Sequence, residues 1–101
     1  MDLPQLTERV RQSVGADSGL DATIKFNFGE DGFIYIDGVA KPNTVTNEDK
    51  DAKITIKVSR ENFERIINHE LNPKLALMTG RMRLRGDLRI AMRLDKVFGT
   101  G

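Results

Sequence analysis

The chain has 101 residues, 39% hydrophobic and 31% charged, with a formal net charge of +1; this is the composition of one globular domain, able to hide roughly 60–70% of its unfolded surface. It contains no cysteine, which excludes disulfides, thiolate metal sites and a cysteine nucleophile. No apolar run reaches the ~18–20 residues of a bilayer span, the N-terminus lacks the apolar stretch of a signal peptide, and Gly99-Thr100-Gly101 matches no anchor or address signal, so a cytoplasmic location is expected.

Leu3, Leu6, Val10 and Val14 recur at helical spacing and predict a helix over 3–14, with Pro4 tolerated in its first turn and Gly15 ending it. Residues 22–28 alternate, Ile24, Phe26 and Phe28 against Thr23, Lys25 and Asn27, as a half-buried strand does. The turn Gly29–Gly32 joins it to a second strand, "FIYIDG" at 33–38, forming a hairpin. A third strand is expected within 39–46, at a sheet edge because Pro42 cannot donate to a ladder. Polar 47–51 is a loop, and 52–58 alternate again with Ile54, Ile56 and Val58 on one face.

The period then changes. Ser59 is placed to cap a helix whose apolar stripe is Phe63, Ile66, Ile67 and Leu71, with Glu61 and Glu64 near its start. Asn72-Pro73 has the form of a cap followed by a first helical residue, opening a short helix that Gly80 ends. In "RMRLR", residues 81–85, the arginines point away from Met82 and Leu84. Gly86-Asp87 caps a final helix through Phe98, on which Arg89, Arg93 and Lys96 share one stripe and apolar residues cover the rest. So apolar a helix either packs between several elements or lines a cavity.

Charge is unevenly spread. Residues 74–101 carry seven basic and two acidic residues, and residues 1–73 carry nine and thirteen. The split suggests either an anionic partner or mutual neutralisation once the halves fold together.

Catalytic constellations are missing from the sequence. The single histidine, His69, sits at a predicted helix end, and no serine stands in a nucleophile elbow. Asn47, Asp49 and Asp51 have the spacing of a calcium loop, but Ala52 and Val58 occupy positions that need Gly and Glu. No phosphate loop exists, and neither a metal nor a cofactor is expected. Nucleic acid is not the expected partner, because Met and Leu, not exposed aromatics, interleave the arginines.

The segment "DAKITIKVSRENFERIINHELNPKLALMTGRMRLRGDLRIAMRLDKVF", residues 51–98, resembles the sterol carrier protein type 2 (SCP-2) domain family. The features that carry the resemblance are an alternating strand, a helix opening Ser-x-x-x-Phe, then Asn72-Pro73, Met78, Gly80, a short basic strand, Gly86-Asp87 and Met92. The opening helix and hairpin over 3–38 extend it to nearly the whole chain, as one SCP-2-like domain, 1–101, of the small single-domain bacterial type.

The resemblance implies an α/β (α+β) fold: a five-stranded, mostly antiparallel sheet covered on one face by helices, with an apolar tunnel between them. It implies a non-enzymatic carrier of sterol, fatty acid, acyl-CoA, phospholipid or isoprenoid lipid. The family also includes bacterial accessory proteins, one of them in ubiquinone biosynthesis, so the alternative is a scaffold that binds an enzyme partner or forms a homodimer. The chain stops soon after the last predicted helix, where longer members carry a segment that helps close the tunnel; an open mouth, or one closed by a partner chain, is expected. Residues expected to line the tunnel, chosen by inward face, are Phe26, Phe28, Ile54, Ile56, Phe63, Ile67, Leu71, Leu75, Met78, Met82, Leu84, Leu88, Ala91, Met92 and Phe98. Arg81, Arg83, Arg85, Arg89 and Arg93 are expected to face water and to dock transiently on anionic membrane.

Overall fold

The computed structural model describes residues 1–98, the Lys96 side chain apart. Asp2 opens helix α1, Leu3–Val14, by a capping box: its carboxylate accepts from the Gln5 amide while the Gln5 side chain accepts from the Asp2 amide. Leu6, Thr7, Val10 and Val14 form its buried face. The hairpin of β1, Thr23–Asn27, and β2, Phe33–Asp37, closes through a 3₁₀ turn over Gly29–Asp31. Strand β3, Thr44–Thr46, pairs only with β2 and is the edge that Pro42 foretells. Buried Asn43 ties the approach to it, accepting from the Ser18 amide and donating to the Ala40 carbonyl, both at 2.8 Å.

Strand β4, Ile54–Val58, runs parallel to β1 and antiparallel to β5, Met82–Gly86. The sheet order is β3-β2-β1-β4-β5, antiparallel at every pairing except β1–β4. Its inner face is a continuous apolar layer: Ile24 and Phe26, Ile34 and Ile36, and Ile54 and Ile56 are all fully buried. The other face turns Thr55, Lys57, Arg83 and Arg85 outward.

Ser59 caps α2, Arg60–Ile67, accepting from the Asn62 amide at 3.0 Å. Asn72 caps α3, Pro73–Met78, accepting from the Lys74 amide at 2.8 Å, with Pro73 in the first turn. Two expected elements come out differently. Helix α2 stops at Ile67, not Leu71: Asn68 is its C-cap and His69 turns the chain at φ 61. Leu71 is still buried, carried in by the turn.

The expected continuous final helix is instead a 3₁₀ segment, Leu88–Arg93, followed by α4, Asp95–Phe98. Tertiary and local tethers outweigh helix propensity here. Arg89 folds back onto Asp87, and the Arg93 Nη1 donates to the Leu20 carbonyl at 2.8 Å, 73 residues away in sequence. Within these constraints the segment buries Ile90 and Leu94 and leaves Leu88 and Met92 outside.

Candidate functional site

Aromatic rings fill the space between sheet and helices. Phe63, from α2, lies 4.8 Å from Phe26 and 5.2 Å from Phe28 between ring centres, and Phe98, from α4, lies 6.1 Å from both Phe26 and Phe63. With these rings the expected lining residues Ile54, Ile56, Ile67 and Leu71 belong to one buried core cluster. These buried side chains occupy the layer between sheet and helices where the resemblance implies an apolar tunnel.

The apolar concavity is a groove, open to solvent, along the inner side of edge strand β5. It measures about 350 Å³ and runs between α3, β5 and the 88–98 segment. Met82, Leu84, Ala91, Met92 and Phe98 meet there, all five of them expected lining residues. Pro73, Lys74, Leu77, Leu94 and Asp95 complete the wall. Sequence reading passed over these five, although the apolar character of Leu77 and Leu94 on flanking elements was a usable signal.

Four expected lining residues do not turn inward. Leu75 and Leu88 are more than half exposed, and Met78 and Met92 more than 80% exposed, so of these only Met92 touches the groove. The cause on α3 is geometric. In six residues a helix makes under two turns, and Ala76 is the side chain that faces the core. Leu75 and Met78 are therefore left on the solvent side beside the groove, and Leu77, also partly exposed, stands in its wall.

The five arginines divide into two groups. Arg89 grips Asp87 with both Nε and Nη2, at 3.0 and 2.9 Å. That hydrogen bonding is the main reason the Asp87 carboxyl is held down at about 2, and the Arg89 guanidinium is raised in turn. Arg93 is spent on the Leu20 carbonyl. The side chains of Arg81, Arg83 and Arg85 are exposed, and their guanidinium groups form no ion pair or hydrogen bond with a described residue.

A second concavity, about 410 Å³, lies where β1 and β4 end and β5 begins. It is lined by Asn27, Phe28, Gly29, Lys57, Val58, Ser59, Gly80, Arg81 and Arg83. Among the described residues no group of three or more His, Cys, Asp or Glu side chains could hold a metal. His69 is exposed in its turn, and among the described residues no helix is long and apolar enough to cross a membrane.

The fold has solved relatives. SCP-2-like 2 of Aedes aegypti superposes with a TM-score of 0.76 at 21% identity, over 94% of either chain. The palmitated form of that protein gives 0.71 at 23% identity, over 97% of this chain and 95% of the other. Apo sterol carrier protein 2 of Yarrowia lipolytica gives 0.71 at 21% identity, over 97% of this chain and 80% of the other. No curated protein sequence matches the chain significantly. The sequence itself matches the SCP-2 sterol transfer family over residues 5–99, and the chain belongs to that family.

Proposed function

We propose that this chain is a non-enzymatic, intracellular lipid carrier whose apolar cargo lies in the groove between α3, β5 and the 88–98 segment. The observation that carries the reading is the groove itself. Its volume falls at the lower end of the roughly 300–1,000 Å³ usual for ligand pockets, and its walls are Met82, Leu84, Ala91, Met92 and Phe98. Methionine suits a site that accepts chains of varied shape, because its side chain is flexible and polarizable.

A fatty acyl chain is the cargo that fits best. The groove is open, and Lys74 in its wall offers an ammonium group as a partner for a carboxylate. A palmitated relative of the same fold supports this choice. Delivery would occur at an anionic membrane. Leu75, Leu77 and Met78 would touch the acyl boundary, while Arg81, Arg83 and Arg85 each contribute about 1 kcal/mol near an anionic surface.

The test is palmitate binding by calorimetry to the native chain and to Ala91→Trp, which places an indole in the groove. The reading expects binding that the variant weakens by about tenfold or more, a loss of roughly 1.4 kcal/mol. Undiminished binding by a folded variant would refute the groove. Sedimentation with vesicles should rise with phosphatidylglycerol content and collapse in high salt; equal binding to neutral vesicles would refute arginine docking.

The bare apolar face of α3 also favours a second reading, an accessory protein that buries Leu75, Leu77 and Met78 against an enzyme or a second copy of itself. A lipid-free protein that sediments as a dimer, and loses the dimer in Met78→Glu, would move the assignment there.

A further inference from the structure

The 410 Å³ concavity at the end of the sheet has a different chemistry from the groove. Lys57, Arg81 and Arg83 line it, and no carboxylate does. These three cations have no hydrogen bond or ion pair with any described residue. Two polar side chains add donors. The Asn27 Oδ1 accepts from the Gly29 amide at 2.8 Å, which leaves its NH₂ group to donate. The Ser59 oxygen accepts from the Asn62 amide at 3.0 Å, which leaves its O–H to donate.

The sheet register sharpens the point. Lys57 stands directly opposite Arg83 across the β4–β5 ladder. Like charges at directly opposed positions destabilise a sheet. An anion between them would convert that repulsion into two charge-assisted hydrogen bonds; a guanidinium matches phosphate with a two-pronged contact, and a phosphate has further acceptor oxygens left for the neutral donors. The next pair along, Thr55 opposite Arg85, carries one charge only and lies outside the pocket.

We infer that this pocket binds a phosphate group, held by Lys57, Arg81 and Arg83 with Asn27 and Ser59 as neutral donors. The inference deepens the docking role proposed for Arg81 and Arg83: beyond a diffuse attraction to anionic membrane, these residues form a bounded site for one phosphate, from a lipid headgroup or from a soluble phosphate compound.

The experiment is a titration of the full chain with inorganic phosphate, followed by amide NMR at constant ionic strength made up with chloride. The expected result is saturable shifts at Gly29, Ser59, Gly80 and Arg83. Removal of one charge-assisted contact by Arg83→Gln should weaken the site about tenfold. Arg85→Gln should change it by less than about twofold, because screening reduces the influence of an exposed charge outside the pocket. Linear, unsaturable shifts, or equal losses in Arg83→Gln and Arg85→Gln, would overturn the site and leave only the diffuse field that vesicle sedimentation measures separately.

A second readout does not depend on the spectrum. Lys57→Thr should raise the melting temperature in phosphate-free buffer and reduce stabilisation by added phosphate, the site being about tenfold weaker. A lower melting temperature with phosphate stabilisation retained would refute the role given to Lys57. Dihexanoyl phosphatidic acid below its micellar concentration then separates the sources. Tighter binding than inorganic phosphate, with added shifts at Ala91 and Met92, identifies a lipid headgroup; equal affinity identifies a soluble phosphate.

Discussion

Phe63→Ala tests the claim that the interior is packed, not hollow. Phe63 is fully buried and its ring meets three others, Phe26 at 4.8 Å, Phe28 at 5.2 Å and Phe98 at 6.1 Å. Truncating a buried phenylalanine to alanine costs about 3–5 kcal/mol, depending on how far the site can collapse. Each ring pair adds roughly 0.5–1.5 kcal/mol beyond its buried area. Two of the three rings, Phe26 and Phe28, stand on or just after β1, which is held in register at the centre of the sheet and cannot move in to fill the gap, so the upper end, about 5 kcal/mol, applies.

A domain of this size is stable by roughly 5–15 kcal/mol in total. The variant should therefore be partly or wholly unfolded at 37 °C, with a melting temperature lowered by about 20 °C or more at roughly 4–8 °C per kcal/mol. Urea unfolding followed by circular dichroism gives the number directly. Phe63→Leu, which keeps most of the volume, should cost only about 1 kcal/mol. A loss below about 2 kcal/mol for the alanine variant would refute the reasoning: it would mean that the rings already border empty or lipid-filled space.

Three further outcomes follow from local geometry. Gly86 sits at φ 121, and a Cβ there would lie 2.3 Å from the Lys53 carbonyl oxygen, so Gly86→Ala should lose about 3 kcal/mol from overpacking and left-handed strain together, read by urea unfolding. His69 holds φ 61 in an exposed turn, so His69→Gly should gain about 1 kcal/mol by relieving that strain; no gain in melting temperature would show the turn to be unstrained. The Asp87 carboxyl, held at about 2 instead of the ordinary 3.8 by Arg89, stabilises the fold above its ordinary value and loses that contribution as pH falls from 3.8 through about 2. A carboxyl-carbon NMR titration should place its midpoint near 2, and Arg89→Gln should return it toward 3.8.

What was legible in the sequence is what short-range chemistry decides. Asp2, Ser59 and Asn72 cap helices because a side-chain oxygen reaches an amide two or three residues on, an event contained within four residues of chain. Alternation placed β1, β4 and β5, and Gly86-Asp87 marked where the last strand gives way to a capped helical segment. The misplaced residues lie where local pattern cannot reach. Four consecutive apolar residues in a six-residue helix do not show which one faces inward; the core admitted Ala76 and left Leu75, Leu77 and Met78 more exposed. Nothing near residue 93 announces that Arg93 will bond the Leu20 carbonyl, yet that contact helps set the 3₁₀ path that puts Met92 on the groove and Leu88 in water. Likewise the five arginines all read as water-facing cations until Asp87 and Leu20 take two of them.

The two concavities share one cause, the alternation of β5. Arg-Met-Arg-Leu-Arg, residues 81–85, puts cations on the outer side of the sheet and apolar side chains on the inner side within five residues, and at the sheet edge each side borders one of the concavities. Because side chains alternate with a period of two, a slip of one residue against β4 would exchange the rows, sending Met82 and Leu84 to water and the arginines into the core. The register is held at its far end by close approach. The Asp87 amide donates to the Lys53 carbonyl at 2.9 Å, and that contact is possible only because Gly86 has no Cβ to strike the same oxygen. The glycine therefore has a role beyond its own turn. By fixing which residue of β5 faces Ile54, it fixes that Leu84 faces Ile56 and Met82 faces Val58, and so determines which face of the strand is apolar and which is charged.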